Sequence, residues 1–126
     1  MSDYSERDAH TLATQSFDVH YELRQQVDCY AGVEELLEQL RGDYVLGAIS
    51  NGNADVSKTP IGHHFAFALS AEQVNASKPD NIIFARAHAH VEDELGSDVT
   101  AGEIVHVGDD FYSVWIAIDA HVHPIY

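Results

Sequence analysis

The sequence predicts an α/β domain with parallel strands, and three observations carry that prediction. Stretches with the apolar spacing of a helix alternate with short aliphatic runs typical of buried strands. The aliphatic runs end in polar or glycine-containing loops, as strands do where a sheet faces a ligand. The chain has 126 residues, which is enough for one domain with its own core.

The first part of the chain predicts helices. Ser5 to Cys29 is polar, and its apolar residues are spaced for one or two helices rather than a strand: Leu12, Phe17, Tyr21, Leu23 and Val27. A clearer apolar face follows between Val33 and Leu40, with Leu36 and Leu37 on it. Gly42 then fits the C-cap of that helix.

The stretch from Tyr44 to Asn53 organises the rest of the chain. Its first six residues, Tyr-Val-Leu-Gly-Ala-Ile, are rich in aliphatic and β-branched side chains, which predicts a buried parallel strand. Ser50, Asn51 and Gly52 then form a small polar loop, in which Gly52 is free to adopt a positive φ. In open α/β sheets ligands bind at this end of a strand. An ordinary turn is the alternative interpretation.

Three further elements follow. We expect one helical turn over Ala54 to Lys58 and a second short strand over Phe65 to Leu69. Pro79 suits a helix start, and the helix has an apolar face ending at Gly96: Phe84, Ala87, Val91 and Leu95. Ile104 to Val107 predicts a third strand, which runs into Gly108, Asp109 and Asp110.

The tail of the chain is ambiguous by periodicity. Val114 to Ile118 is wholly apolar and fits either a strand or a buried helix. A parallel crossover needs about a dozen residues, usually with a helix, and too few separate Gly108 from Val114. We therefore expect a helix over Ser113 to Ala120 and a final strand over Val122 to Tyr126.

The charge balance narrows the classes of partner. Six Lys and Arg against 21 Asp and Glu give a net charge of −15, which disfavours nucleic acid and anionic membrane surfaces as partners. The acidity could suit a cation, although solubility explains it as well. The single cysteine, Cys29, cannot form an internal disulfide. With no secretory signal and no apolar run near the ~20 residues of a membrane span, we expect a cytoplasmic protein.

Polar side chains at three separate places suggest part of a phosphoryl-transfer site. A serine hydroxyl and amides at Ser50 and Asn51 suit phosphate oxygens, and Lys78 could neutralise their charge. Asp109 and Asp110 offer the oxygen ligands that Mg²⁺ prefers. The alternatives are a solvated lysine and a helix cap made by the aspartates.

These places resemble three motifs of the haloacid dehalogenase-like hydrolases, in the same order and with similar separations. The matching segments are Ile49 to Asn53, Ser77 to Asp80 with Ile83 and Phe84 behind it, and Val105 to Asp110. The resemblance covers about Tyr30 to Tyr126. It implies a Rossmann-like three-layer αβα core with a parallel sheet and a small phosphate ester as substrate.

The resemblance also implies residue roles. Ser50, with Asn51 and Gly52, would bind the phosphoryl group. Lys78 would be the catalytic lysine, stabilising both phosphate and nucleophile, and Asp109 helped by Asp110 would bind Mg²⁺.

One motif of the family is missing. Its first motif, Asp-x-Asp at the end of an amino-terminal strand, supplies the nucleophile, and no Asp-x-Asp occurs in this chain. Residues 1–29 instead look like the remnant of a helical cap, Cys29 to Val33 like a hinge, and residues 30–126 like an incomplete core. We expect weak or lost Mg²⁺ binding and little or no phosphatase activity. The alternative is a non-catalytic remnant that binds an anion or a protein.

The missing strand would lie between the strands that carry Ser50 and Asp109. Unpaired interior strand edges are costly, so either those two strands close up or another chain fills the place. Self-association through these edges is therefore expected, and a monomer in light scattering at high concentration would contradict it.

Other residues permit rival interpretations. His63 with His64, His88 with His90, and His121 with His123 could suggest zinc, but surface histidines are the default. Cys29 has no neighbour in sequence that would activate it as a nucleophile. Ser50 lacks the first glycine of a Gly-x-Ser-x-Gly hydrolase motif.

Overall fold

Helices and short parallel strands make up the described part of the chain, as the sequence predicts for an α/β domain. The computed structural model describes residues 6–109 and the backbone of residues 123–125. The helices are α1 (Glu6–Arg24), α2 (Val33–Leu40), α3 (Ala71–Val74) and α4 (Asn81–Leu95). The strands are β1 (Gly47–Ser50), β2 (Phe67–Ser70), β3 (Val105–Val107) and β4 (His123–Ile125). Three 3₁₀ turns lie at Val56–Lys58, Gly62–His64 and Ala101–Glu103.

The strands form two parallel pairs. β1 pairs with β2, with Ile49 opposite Leu69, and β3 pairs with β4. Within the described residues β1 and β3 are not paired with each other. The two strands therefore do not close up over the place of the missing strand, and self-association stays a prediction.

The core is built on one face of α4. Ile83 is fully buried and Phe84 is 5% exposed, and three partly buried side chains pack against them: Ile49, Val74 and Ile104. Ile49 lies in β1 and Ile104 immediately precedes β3, so both strand pairs pack on the same helix. The Phe84 ring also meets the His106 ring edge-on, with centroids 5.2 Å apart.

α2 and α4, which have the clearest apolar faces, form where the sequence predicts them, and only their capping residues differ from the prediction. α4 begins after Asp80, whose carboxylate accepts a 2.9 Å hydrogen bond from the Ile82 amide, so Pro79 lies just outside the helix. It ends at Gly96, whose φ of 104° suits glycine. The C-cap of α2 is Arg41 in right-handed geometry, not Gly42, because the chain continues in a helical turn to Tyr44.

The first two strands begin later than the sequence predicts. β1 starts at Gly47 instead of Tyr44, and β2 starts at Phe67 instead of Phe65. Gly47 and Phe67 are paired in register, so the two strands begin together. The turn Gly62–His64 lies shortly before Phe67, and one backbone hydrogen bond precedes the paired strands, from the Ala66 amide to the Leu46 carbonyl at 2.8 Å.

The remaining element predictions have mixed outcomes. The predicted turn at Ala54 to Lys58 is a 3₁₀ turn, where the Asp55 carboxylate accepts from the Ser57 amide at 3.1 Å. β3 agrees with the third predicted strand to within one residue, and β4 with the final one. The helix predicted over Ser113 to Ala120 lies outside the described residues.

α1 is a single helix that joins the rest of the molecule at its carboxyl end. None of its residues is buried. Gln25, just beyond it, is buried, and its side chain donates to the Tyr21 carbonyl at 3.1 Å and accepts from the Asp55 amide at 2.9 Å. Arg24 also donates to the Asn53 side chain. The division into a cap remnant at 1–29 and a core at 30–126 stays a prediction.

No helix in the described part of the chain has the length and hydrophobicity that crossing a membrane requires.

Candidate functional site

The loop after β1 places the Ser50 hydroxyl beside a backbone amide. The Gly52 N–H donates to Ser50 Oγ at 3.0 Å, so the hydroxyl proton is still available to donate to a ligand. Gly52 does not use the positive φ that the sequence suggested. Its lack of a side chain matters for another reason, because a Cβ there would lie 3.3 Å from Ser50 Oγ.

Asn51, the residue directly after β1, is hydrogen-bonded to the backbone of Lys78. Its side-chain Nδ2 donates to the Lys78 carbonyl at 2.8 Å, and its Oδ1 accepts from the Lys78 amide at 2.7 Å. A carboxamide suits this task because it carries a donor and an acceptor side by side. Residues that are 27 positions apart in sequence are thereby brought together.

Lys78 also acts on β3 through its charge. His106, the central residue of β3, is buried against Phe84, and its Nε2 has no hydrogen-bond partner among the described residues. Burial lowers the pKa of His106 below its usual 6.5, and the positive charge of Lys78 lowers that pKa further. The Lys78 backbone is thus held at the loop after β1, and its charge acts on His106 in β3.

The lowered pKa of His106 predicts a pH-dependent stability. Protonation of His106 is less favourable in the folded chain than in the unfolded chain, where an imidazole takes up a proton near pH 6.5. This contribution to stability is therefore lost as the pH falls below that value. NMR titration of the His106 ring should give a midpoint below 6.5 that rises in Lys78→Ala. A midpoint at or above 6.5 in the unaltered chain would contradict this account.

The structure brings only some of the predicted site residues together. Ser50, Asn51, Gly52 and Lys78 form one group through the hydrogen bonds above. Asp109 is exposed and follows the end of β3 by two residues, and among the described residues it forms no hydrogen bond or ion pair with that group. Asp110 lies outside the described residues. The metal role of the two aspartates stays a prediction.

The sequence misjudged two histidines. His64 is 4% exposed and His106 is 9% exposed, so the default of surface histidines is wrong for both. His106 alternates with two exposed valines in β3, and that period-two pattern shows only that the histidine faces the other way. Which face is buried depends on where α4 packs.

A family model for haloacid dehalogenase-like hydrolases matches residues 2–125. The chain belongs to this family. The resemblance drawn from its three motifs is thereby confirmed, and the α/β fold with parallel strands agrees with it.

Two relatives show how much of the family's architecture this haloacid dehalogenase-like chain contains. It is 36% identical over 87 residues to 5-amino-6-(5-phospho-D-ribitylamino)uracil phosphatase YigB of Escherichia coli K12, a match covering 69% of this chain and 34% of the relative. The crystal structure of a 2-haloacid dehalogenase from Pseudomonas syringae pv. Tomato superposes with a TM-score of 0.87 at 36% identity, covering 98% of this chain and 52% of that one. The match thus spans about a third of the phosphatase and half of the dehalogenase.

Proposed function

We propose that this haloacid dehalogenase-like chain carries the phosphate-binding part of a Mg²⁺-dependent phosphate monoester phosphatase. The observation that carries the proposal is the pair of hydrogen bonds between the Asn51 side chain and the Lys78 backbone, which holds the lysine beside the loop of Ser50. The similarity to a phosphatase adds support. The substrate class is a small phosphate ester.

Electrostatics favour Lys78 as the anion-binding group. The chain carries a net charge of −15, so a phosphate ester is repelled from most of its surface. None of the ion pairs among residues 6–109 involves Lys78, whereas Lys58 lies 3.8 Å from the Asp55 carboxylate. Among the described residues the Lys78 ammonium thus has no carboxylate partner, and it can donate to a phosphate oxygen while the Ser50 hydroxyl donates to a second one.

Asp109 fits Mg²⁺ by donor type, because its exposed carboxylate is the hard oxygen ligand that this ion prefers. Bound Mg²⁺ would neutralise phosphate charge and polarise the ester. Asp109 is the one predicted metal ligand within the described residues, and Asp110 beside it is the other candidate. We expect weak Mg²⁺ affinity without the carboxylates of an Asp-x-Asp motif.

Turnover by this chain is expected to be low. Covalent phosphoryl transfer requires a positioned nucleophile, and Asp109 and Asp110 cannot be metal ligands and attacking groups at once. Binding of phosphate without hydrolysis is therefore the expected behaviour. A non-catalytic anion- or protein-binding module is the alternative that shares this expectation.

The chain offers a matched pair of variants for phosphate binding, because Lys58 and Lys78 are its two lysines. Lys78→Ala should weaken the binding of inorganic phosphate roughly tenfold or more, since a charge-assisted hydrogen bond contributes about 1.5–3 kcal/mol. Lys58→Ala should leave the affinity within about twofold, because any effect is limited to long-range charge. Isothermal titration calorimetry or ³¹P NMR line broadening gives both affinities. Equal losses of phosphate affinity in the two variants would contradict the proposed site.

Turnover assays separate the candidate reactions. Phosphate release from an aryl phosphate, with and without Mg²⁺, should stay near background, and robust Mg²⁺-dependent release would contradict the expected inactivity. Halide release from a 2-haloacid is measured in parallel because the superposed structure is a dehalogenase. Halide release without phosphate binding would favour dehalogenation over phosphate ester chemistry.

A further inference from the structure

A cleft of about 670 Å³ lies between α2 and the turn Gly62–His64, and its walls carry groups that the phosphate proposal does not use. Its lining combines imidazoles, carboxylates and a thiol: Cys29, Glu34, Glu38, His63 and His64. Glu34 belongs to the first turn of α2, and both histidines belong to the 3₁₀ turn. The cleft therefore joins two elements that are separated by more than twenty residues in sequence.

We propose that Glu34, His63 and His64 bind one transition-metal ion, with Zn²⁺ as the best match. Each residue presents one ligand atom, and the three atoms lie within 4.8 Å of one another. Two imidazoles and one carboxylate form a common zinc ligand set, in which water completes the tetrahedron. Ligands ~2.1 Å from a tetrahedral ion lie ~3.4 Å apart, so closure needs shifts of about an ångström. Glu34 and His63 are exposed and can make those shifts.

His64 supplies the second, independent observation. Its side chain is 2% exposed, and neither ring nitrogen has a hydrogen-bond partner among the described residues. Two unsatisfied buried nitrogens are costly, and a ligand for one of them removes that cost. Nε2 lies 3.9 Å from the Glu34 carboxylate, on the side where an ion shared with Glu34 would bind.

Glu38 fits the role of a positioning residue for His64. Its carboxylate lies 3.3 Å from Nδ1, opposite the nitrogen assigned to the ion, at ion-pair distance but without hydrogen-bond geometry. A small shift would let Nδ1–H donate to this carboxylate, and such a hydrogen bond fixes the ring orientation of a histidine ligand. Arg41 holds this arrangement in place, because its guanidinium lies 3.4 Å from Glu38 and donates to the His63 carbonyl at 3.3 Å.

The competing explanation is direct electrostatic contact of His64 with the Glu34 and Glu38 carboxylates, without any metal. The two explanations differ in the role of His63, whose ring centroid lies 3.9 Å from that of His64. A metal site needs the His63 nitrogen, whereas an ion pair of His64 with two carboxylates does not. His63 and Glu34 are also exposed, so their variants should fold.

The test is Zn²⁺ binding by the 126-residue chain after treatment with a chelator, followed by competition with a chromophoric chelator. We expect one equivalent of Zn²⁺ per chain and a higher unfolding midpoint with the metal, as mass action requires. His63→Gln and Glu34→Gln should each weaken binding roughly tenfold or more, and Glu38→Gln about tenfold. His20→Gln, a change at an exposed histidine of α1, is the matched control and should have no effect.

Three results would overturn the site. Less than one equivalent of bound Zn²⁺ at saturation would exclude it, and so would an affinity unchanged in both His63→Gln and Glu34→Gln. Equal losses in His20→Gln would show dispersed binding by surface histidines. The ligand set itself is tested with Co²⁺, because three nitrogen and oxygen ligands give no thiolate charge-transfer band. Such a band, abolished by Cys29→Ser, would replace the proposed set with one that includes the thiol.

Discussion

Replacing Ile83 with alanine should lower the free energy of unfolding by about 2–5 kcal/mol. Ile83 is fully buried in α4, and the other buried apolar side chains are few: Leu69, Phe84 and Ala87 among the described residues. The truncation removes buried carbon and leaves a cavity between the helix and both strand pairs. Because domains are stable by about 5–15 kcal/mol, this loss is a large fraction of the total.

Ile82 provides the matched control for this experiment. It is the neighbouring residue in the same helix and the same residue type, but it is 52% exposed. Ile82→Ala should change the stability by less than about 1 kcal/mol, since the better helix propensity of alanine offsets part of the lost contact. Urea unfolding followed by circular dichroism measures both variants. Similar losses at the two positions would mean that the buried face of α4 is assigned wrongly.

The second large effect is expected at Gly62, where alanine should lower the free energy of unfolding by about 1–3 kcal/mol. A Cβ there would lie 2.4 Å from the Val56 carbonyl oxygen and 2.7 Å from that of Ser57. Both atoms belong to the backbone of the preceding 3₁₀ turn, so relief requires movement of the chain itself. The same movement would displace His63 and His64, which follow directly.

Gly102 separates this steric effect from the general effect of removing a glycine. It also lies in a 3₁₀ turn, but the nearest atom to an added Cβ is Thr100 Oγ1 at 3.8 Å, an ordinary contact. Gly102→Ala should be neutral or stabilising by up to about 1 kcal/mol, because alanine restricts the unfolded chain. Thermal unfolding of both variants gives the comparison. A loss at Gly102 equal to that at Gly62 would contradict the steric explanation.

The helices were the most predictable part of the fold because their signals are local. The apolar spacing of α4 and the capping residues Asp80 and Gly96 all lie within one continuous segment of sequence. Strand starts were less predictable, because a parallel strand exists only where its partner is available. β1 begins at Gly47, whose pairing partner Phe67 begins β2. The residues around Gly47 give no indication of where that partner strand starts.

The candidate site was also only partly predictable from the sequence. The sequence pointed to Ser50, Asn51 and Lys78 as separate polar positions, and the family's motif order placed them in one site. The hydrogen bonds that join Asn51 to the backbone of Lys78 depend on how β1 and the start of α4 pack, so residue types alone could not show them. The charge of Lys78 acting on His106 likewise depends on the position of β3.

By itself the sequence determined the α/β class with parallel strands and the family, since each rests on local pattern or motif. Only the tertiary structure decided which polar side chains are buried and which of them meet. His63 and His64 are adjacent in sequence, yet packing against α2 exposes one, buries the other and places both beside Glu34. Burial and long-range contact are properties of packing, and packing arises only when distant segments come together.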